Sequence, residues 1–538
     1  MTPNLEILNL LGCDELVELH MPAECPKLIV LNLGHSKLRT FDLGMTPNLE
    51  VLDLSRCNNF VELLTPIECP KLEFLGISNS KMSSLNLERI SQIQFLYLID
   101  CYDFVELHMP VECPNLDILM LNGSKLRTFD LEMTPNIRIL YFDGCCEFQQ
   151  LRMTSECLKL ETLNLTDSKL RAFDLGMTPN LQALYLNECY ELHRLHMPAE
   201  CPKLESLNLG GSSLRTFDLG MISNLVTLNL ERCYEFQQLH MPTECPKLKS
   251  INLSGSKLRT FNLGMTPNLE ILDLGWCYDF VDLHMPTECL KLKSLNLSHS
   301  SLSTFDLRMT SNLVTLNLEG CYKFQRLHMP TECPKLKYLK LGHSMLRTFD
   351  LGMTRNLETL DLEECLEFHQ LHIPIECPKL KSLNLGRSKL RTFDLGITPN
   401  LEMLDFKRCN DFVELRMPDE CPKLKFLDLS FSKLRTLDLG MTSNLEKLIL
   451  VNCYEFQRLH MPTVCPKLRL LNIGGSKLRT FNLGMTPNLE MLCFKWCKEF
   501  VELHVPVECP KLKSLCLGHS KLRTFDLGMT SNLQNIRS

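Results

Sequence analysis

Leu5-Glu6-Ile7-Leu8-Asn9-Leu10-Leu11-Gly12-Cys13 decides the fold, because its frame returns every 44 residues to the end of the chain. The last residue marks the period without a slip: Cys13, Cys57, Cys101, Cys145, Cys189, Cys233, Cys277, Cys321, Cys365, Cys409, Cys453, Cys497. Twelve such units and ten further residues make up the 538. Each unit holds the frame twice. Leu28-x-x-Leu31-x-Leu33-x-x-Ser36 restates the leucine spacing 23 residues after Leu5, and Leu49 restarts it 21 residues later. The chain therefore reads as about 24 short turns arranged as twelve double repeats.

Leucines spaced L-x-x-L-x-L-x-x-(C/S), in turns of roughly 20 to 29 residues, mark a leucine-rich-repeat solenoid. The expected form is a horseshoe, with parallel β-strands on the concave face and loops and short helical pieces on the convex side. An unbroken repeat overrides the several domains that 538 residues would otherwise suggest, so residues 1-538 are read as a single leucine-rich-repeat domain. Neither end shows a distinct cap. The opening Met1-Thr2-Pro3-Asn4-Leu5 matches Met45 to Leu49, and the chain stops at Ser538 inside a new turn, as if cut from something longer.

On a strand, alternation sends Leu8 and Leu10 inward and Ile7, Asn9 and Leu11 outward. The Cys13 column follows the strand at a buried position suited to a small, weakly polar side chain. Its alternate is Ser36, a serine kept in all twelve units. In the second half of the unit, Leu38, Phe41 and Leu43 should close the turn, and Pro47-Asn48 should feed the next strand. Glu88-Arg89-Ile90-Ser91-Gln92 replaces the usual Gly-Met-Thr-Pro-Asn of unit two, which suggests a reshaped outer turn there.

Charge is nearly balanced, 57 basic against 64 acidic residues for a net −7, so the bulk electrostatics call for neither nucleic acid nor an anionic membrane. The first 20 residues lack a leader pattern, and no apolar run approaches the ~18 to 20 residues of a membrane span. Of 27 cysteines, 24 form the Cys13 and Cys25 columns; Cys146, Cys493 and Cys516 are left over. Members of one column lie two strands apart, roughly 10 Å, whereas a disulfide needs Cα atoms within ~7 Å. A reduced, intracellular protein follows.

The histidines His20, His108, His196, His240, His284, His328, His372, His460 and His504 invite a metal reading. Their ~10 Å spacing opposes it, since zinc ligands sit ~2.0 to 2.1 Å from one ion. Arg39, Arg127, Arg171, Arg215, Arg259, Arg347, Arg391, Arg435, Arg479 and Arg523 form a basic row, each followed three residues later by Asp or Asn. Local neutralisation is the expected role. Glu358, Lys381, Glu402, Lys425, Glu446, Arg469, Glu490 and Lys513 should pair side by side on adjacent strands. No phosphate loop G-x-x-x-x-G-K-(S/T) and no unique Ser, His or Asp stands apart from the columns, so no catalytic residue, cofactor or metal is expected. Asn122, Asn164, Asn252 and Asn296 begin N-x-(S/T) triplets as by-products of the repeat.

The outward columns are where units differ informatively. Across the middle they hold small polar residues beside Asn and Asp, as at Ser206, Thr227, Ser250, Ser294, Thr315 and Ser382. Near the start they hold Phe74, Phe95, Tyr97, Ile118, Met120, Ile139, Tyr141 and Tyr185. Near the end come Met403, Phe426, Ile449, Leu470, Met491 and Cys493, with Phe431 and Trp496 at strand exits. Clustered exposed aromatics suggest a protein interface, whereas the plainer account is packing within the chain or drift of the repeat. Phe95, Tyr97, Met120, Tyr141, Tyr185, Phe426, Phe431 and Trp496 are the candidate binding residues.

The motif Leu-x-x-Leu-x-Leu-x-x-Cys-x-x-Leu-x-x-Leu, as in Leu5 to Leu19 or Leu269 to Leu283, resembles the leucine-rich-repeat region of plant intracellular immune receptors. The class is the one with an N-terminal Toll/interleukin-receptor domain and a central nucleotide-binding domain. The resemblance covers the whole chain but neither upstream domain. It implies a non-enzymatic recognition module in the cytoplasm or nucleus. Its ligand would be a pathogen effector or host protein on the concave face, with the missing nucleotide-binding domain as a partner. The alternatives are a substrate-recruiting subunit of a ubiquitin ligase, which would need an F-box-like segment, and an inert repeat remnant. Fold analogy carries this reading.

Overall fold

A computed structural model describes residues 4–21, 24–110, 112–197, 201–220, 222–242, 244–285, 289–329, 333–373, 377–396, 398–417, 421–440, 442–461, 464–505, 511–525 and 535–537. The chain divides into two compact units, Met1–Leu258 with Met265–Leu269, and Arg259–Gly264 with Glu270–Ser538. Each is a leucine-rich-repeat solenoid of parallel three-residue strands joined by loops.

In the first unit the main sheet runs from Ile7–Asn9 through Val30–Asn32 and Val51–Asp53 to Ser250–Asn252. Successive strands pair in parallel with like positions opposite one another, as Val30 beside Val51, Leu31 beside Leu52 and Asn32 beside Asp53. The second unit repeats this from Ile271–Asp273 to Asn535–Arg537. In-register stacking is what a fixed period dictates: one slip would turn every leucine to the other face.

The leucine frame does the packing. Leu28, Leu31 and Leu33 are fully buried, as are Leu49, Leu52 and Leu54 one turn on, and each such side chain contributes roughly 1.5 to 3 kcal/mol. Leu38, Phe41 and Leu43 close the turn and are also buried. Where phenylalanine replaces the third inward leucine, it joins aromatic neighbours: Phe142 lies between Phe129 and Phe148, with ring centroids 5.3 and 5.1 Å away.

The cysteine column is a hydrogen-bonded ladder. Cys57 Sγ donates to the Leu33 carbonyl at 3.2 Å and lies 3.2 Å from Ser36 Oγ, and the same trio recurs at Cys101, Cys145, Cys189 and Cys233. The thiol is a second donor to a carbonyl that already accepts the Ser36 N–H at 3.3 Å. Cys13, in the first turn, is exposed.

The far side of each turn holds short structure that the leucine spacing does not announce. Thr40–Asp42 forms a strand paired in parallel with Glu62–Leu64, and such two-stranded pairs recur, as in Thr348–Asp350 with Gln370–His372. A single 3₁₀ turn, Leu43–Met45, follows, with Asp42 Oδ1 accepting from the Gly44 N–H at 2.8 Å. Thr46 ends it at φ −135°, an angle compatible with Pro47 but not set by it, since Thr310 before Ser311 and Thr354 before Arg355 end the same turn at φ −134° and −129°. The expected short helical pieces are these 3₁₀ turns.

Two expectations change. Asp42 is committed to the turn amide, and Arg171 pairs instead with Glu191 at 2.9 Å, so the acidic residue three positions on is not what neutralises that arginine. Unit two's outer turn is reshaped only in part by Glu88-Arg89-Ile90: no 3₁₀ turn forms at residues 87–89, but the anchoring bonds persist. Glu88 N–H binds Asn86 Oδ1 at 2.8 Å, Ile90 N–H binds the Leu87 carbonyl at 2.9 Å, and Ile90 is buried where Thr46 is. The charge ladder forms as read, with Lys381–Glu358 at 2.7 Å, Lys425–Glu402 at 2.6 Å and Lys513–Glu490 at 2.9 Å.

Candidate functional site

The second outward column has a structural duty on most strands. Asn32 Oδ1 accepts from the Gly34 N–H at 3.0 Å, Asp53 from Ser55 at 2.9 Å, Asn164 from Thr166 at 3.0 Å, and Asn384 from Gly386 at 3.1 Å. Each bond turns the chain out of the strand, the local device by which Asn and Asp favour turns. The next residue then takes a left-handed conformation, as at His35 (φ 66°) and Arg387 (φ 60°). The column read from sequence as solvated surface is therefore also a set of turn caps.

Tyr97, Met120 and Tyr141 abandon that duty on three consecutive strands. Met120 sits in register between Tyr97 and Tyr141. Beside them Phe74, Phe95, Ile118 and Ile139 form the first outward column without a break. Phe74 and Tyr97 meet edge to face at 5.3 Å. Gly76, opposite Tyr97, leaves the space, since a Cβ there would lie 3.2 Å from the Phe74 ring. The amide that an Asn at 97 would have capped, Ile99 N–H, binds Ser78 Oγ from the preceding turn at 3.2 Å. These seven side chains are half-buried and lie on the solvent face of the sheet.

Charge borders the patch on both sides. On one, Arg138 grips Asp117 through two bonds of 2.6 and 2.7 Å and reaches Glu161 at 3.5 Å. On the other, Asp100, Asp143 and Asp167 follow one another past the strand ends. Burial, and then the nearby Asp167, push the Asp143 carboxyl above the ordinary range.

The candidate residues fall into separate places. Phe95, Tyr97, Met120 and Tyr141 come together, whereas Tyr185 lies beyond Asn164, which stands in register between it and Tyr141. In the second unit Phe426 lies between Met403 and Lys447, so charge interrupts that column. Phe431 and Trp496 occupy the left-handed row instead, at φ 65° each. Arg408 lies over the Phe431 ring at 5.4 Å, and Trp496, half exposed, stacks on His519 at 3.6 Å.

Sequence reasoning missed a further aromatic row. Tyr102, Tyr190, Tyr234, Tyr278, Tyr322 and Tyr454, each directly after a buried cysteine, are about 62% exposed. In the second unit Trp276 stacks on His299 at 3.7 Å, with Tyr278 and Tyr322 at its flanks. Burial lowers the His299 pKa, and Gly320 is what admits its ring, since a Cβ would stand 2.4 Å from His299 Nδ1. The Cys-Tyr pair, present in six of the twelve units, was the available signal, but strand alternation does not extend past the cysteine.

Among the described residues no three His, Cys, Asp or Glu side chains gather where one metal ion could be held. His328 and His372 line an open groove with Arg347 and Glu367. Among the same residues no helix is long and apolar enough to cross a membrane.

No family model and no curated relative matches the chain. Among solved structures it is similar to the functional domain of InlJ from Listeria monocytogenes, described as including a cysteine ladder, at 17% identity over 70% of this chain and 69% of that one, with a TM-score of 0.45. It is similar to YopM from Yersinia enterocolitica WA-314 at 18% identity over 99% and 91%, TM-score 0.46. It is also similar to the leucine-rich-repeat ectodomain of the membrane receptor kinase GASSHO1/SCHENGEN3 from Arabidopsis thaliana at 17% identity over 95% and 79%, TM-score 0.43.

Proposed function

We propose that this chain is a non-enzymatic protein-recognition module whose ligand docks on the solvent face of the first unit's sheet, over Phe95, Tyr97, Met120 and Tyr141. One observation carries the reading: three consecutive strands give up a turn-capping Asn or Asp for large side chains that remain half exposed. Aromatic and methionine side chains so placed are the residue types that dominate protein interfaces. The carboxylates of Asp100, Asp143 and Asp167 along one edge favour a ligand with basic residues around an apolar centre. The sequence resemblance supports the finer reading, the ligand-sensing repeats of a plant intracellular immune receptor acting in the cytoplasm or nucleus.

Two measurements test this. Capture from plant extract on the immobilised chain should retain a protein that Tyr141→Ala loses by about fivefold or more in affinity, on the order of 1 kcal/mol, while Thr359→Ala, in the second unit, retains it. Equal capture by both variants would remove the patch from the function. Reading the transcript upstream of the Met1 codon tests the receptor class: a contiguous phosphate-loop domain supports it, and an F-box segment would replace it with the ubiquitin-ligase reading.

A further inference from the structure

The two-strand spacing that keeps the columnar cysteines apart does not separate two that belong to neither column. Cys493 ends the strand Met491–Cys493 and Cys516 ends Ser514–Cys516, and the two are directly in register on paired parallel strands. They stand one strand apart, not two. Neighbouring strands lie about 4.8 Å apart, within the ~4.4 to 6.8 Å that Cα atoms of a disulfide span.

Both occupy the second outward column, where the adjoining strand carries Asn472, so both thiols face solvent and both are partly exposed. The nearest columnar thiol, Cys497, is turned inward and engaged, with Sγ 3.3 Å from Ser476 Oγ and 3.2 Å from the Ile473 carbonyl. Burial pushes the Cys493 thiol up, the Lys495 N–H draws it down, and Cys516 raises it again. That last influence marks the two sulfurs as close enough to sense each other.

We propose that Cys493 and Cys516 are a modification site, a dithiol on the solvent face that a hydroperoxide oxidises to a reversible cross-strand disulfide. One thiolate attacks the peroxide O–O bond, becoming a sulfenic acid while the departing hydroxide takes up a proton as water. The second thiolate displaces hydroxide from the sulfenic sulfur, and that hydroxide also leaves as water. Two thiols and one hydrogen peroxide thus give one disulfide and two waters. The link would tie two adjacent turns across 22 intervening residues.

The test uses the full chain, reduced, treated with stoichiometric hydrogen peroxide, alkylated and digested for mass spectrometry. The expected result is an intrachain peptide joining Cys493 to Cys516, with two titratable thiols lost and both recovered by dithiothreitol. Exposed Cys146 serves as the comparator that forms no such link. In Cys493→Ser the linked peptide disappears and dimedone traps a sulfenic acid at Cys516; the double serine variant, followed by circular dichroism, shows that the fold does not need either thiol. Three results would overturn the proposal, each in chain that stays folded: both thiols still alkylated after peroxide, the two oxidised separately, or a soft metal ion retained by the reduced pair in place of the bond.

Discussion

Asn164 and Tyr141 hold the same position on neighbouring strands and serve opposite ends. The asparagine caps the turn behind it, and the tyrosine does not. Tyr141→Asn should therefore leave stability unchanged or raise it by roughly 0.5 to 1.5 kcal/mol, the worth of one such bond, while abolishing ligand capture. A melt and a binding measurement on one preparation check both halves; destabilisation equal to that of a core deletion would show that Tyr141 is packing. Asp405 poses the opposite conflict. Burial pushes its carboxyl up to about 6 from an ordinary 3.8, with the Lys407 N–H opposing and Asp428 on the paired strand adding to the rise. A carboxyl raised by folding stabilises the fold most below about pH 4, and that contribution is lost as pH rises through 6. Asp405→Asn keeps an oxygen for Lys407 and removes the ionisation, so stability at pH 7 should rise by on the order of 1 kcal/mol, after discounting for partial exposure, and the slope between pH 4 and 6 should flatten. Denaturant melts across that range decide it.

At the scale of elements, legibility tracked how much apolar surface an element buries. The main strands were readable because Leu31 and Leu33 repeat at strand alternation with complete burial. The strand Thr40–Asp42 was not, because it is three residues long, contributes one inward side chain, and has one described strand partner, Glu62–Leu64. The turn-capping role of Asn32 or Asp53 was invisible for another reason: alternation says which way a side chain points, not what its oxygen accepts. Proximity on the solvent face was half legible. Column membership named Tyr97, Met120 and Tyr141 together, but it could not show Phe431 leaving that face at the turn. The 3₁₀ turns offer a direct test, since Asp350 Oδ1 holds the Gly352 N–H at 2.8 Å. Asp350→Ala should cost ~0.5 to 2 kcal/mol, as other cap deletions do, and speed hydrogen exchange locally at Leu351–Met353. An unchanged exchange rate would mean that Thr354, whose N–H binds the Leu351 carbonyl at 2.9 Å, fixes the turn without the aspartate.

Across the whole molecule, small contributions repeat until they become large. Burial pushes the thiols of Cys113, Cys145, Cys333, Cys377, Cys409 and Cys421 up to about 11 from an ordinary 9.0. Folding favours the neutral thiol, so this stability is complete below pH 9 and is lost as pH rises towards 11, where the unfolded chain ionises first. The melting temperature should fall steeply across that window, less so in Cys145→Ala/Cys409→Ala; a flat profile to pH 11 would show these buried thiols to be electrostatically inert. Burial also thins towards the terminal turns. Leu8 and Leu10 are half-buried where Leu31 and Leu33 are sealed, and Leu517 and Leu522 are half-buried at the other end, with Leu527 outside the described residues. Hydrogen exchange in this chain should be faster at Ile7–Asn9, which pairs only with Val30–Asn32 among the described strands, than at Val51–Asp53 or Thr359–Asp361, since a repeat covered on one side opens more cheaply.

The left-handed residue at the end of each main strand has a consequence of its own. Its backbone angle is set by the capped turn before it and the stacked turns around it, not by its side chain, so His, Arg, Glu, Trp and Phe all occur there at φ near 60°. Each non-glycine resident costs roughly 1 to 2 kcal/mol of steric strain, a burden that a stack of many turns can spread. Such a position behaves like a slot in a printer's forme: the frame holds whatever character is set, and Trp276, Phe431 and Trp496 have been set where glycine would have rested more easily. A lineage copying this 44-residue unit could therefore rewrite one exposed row letter by letter without disturbing a single leucine.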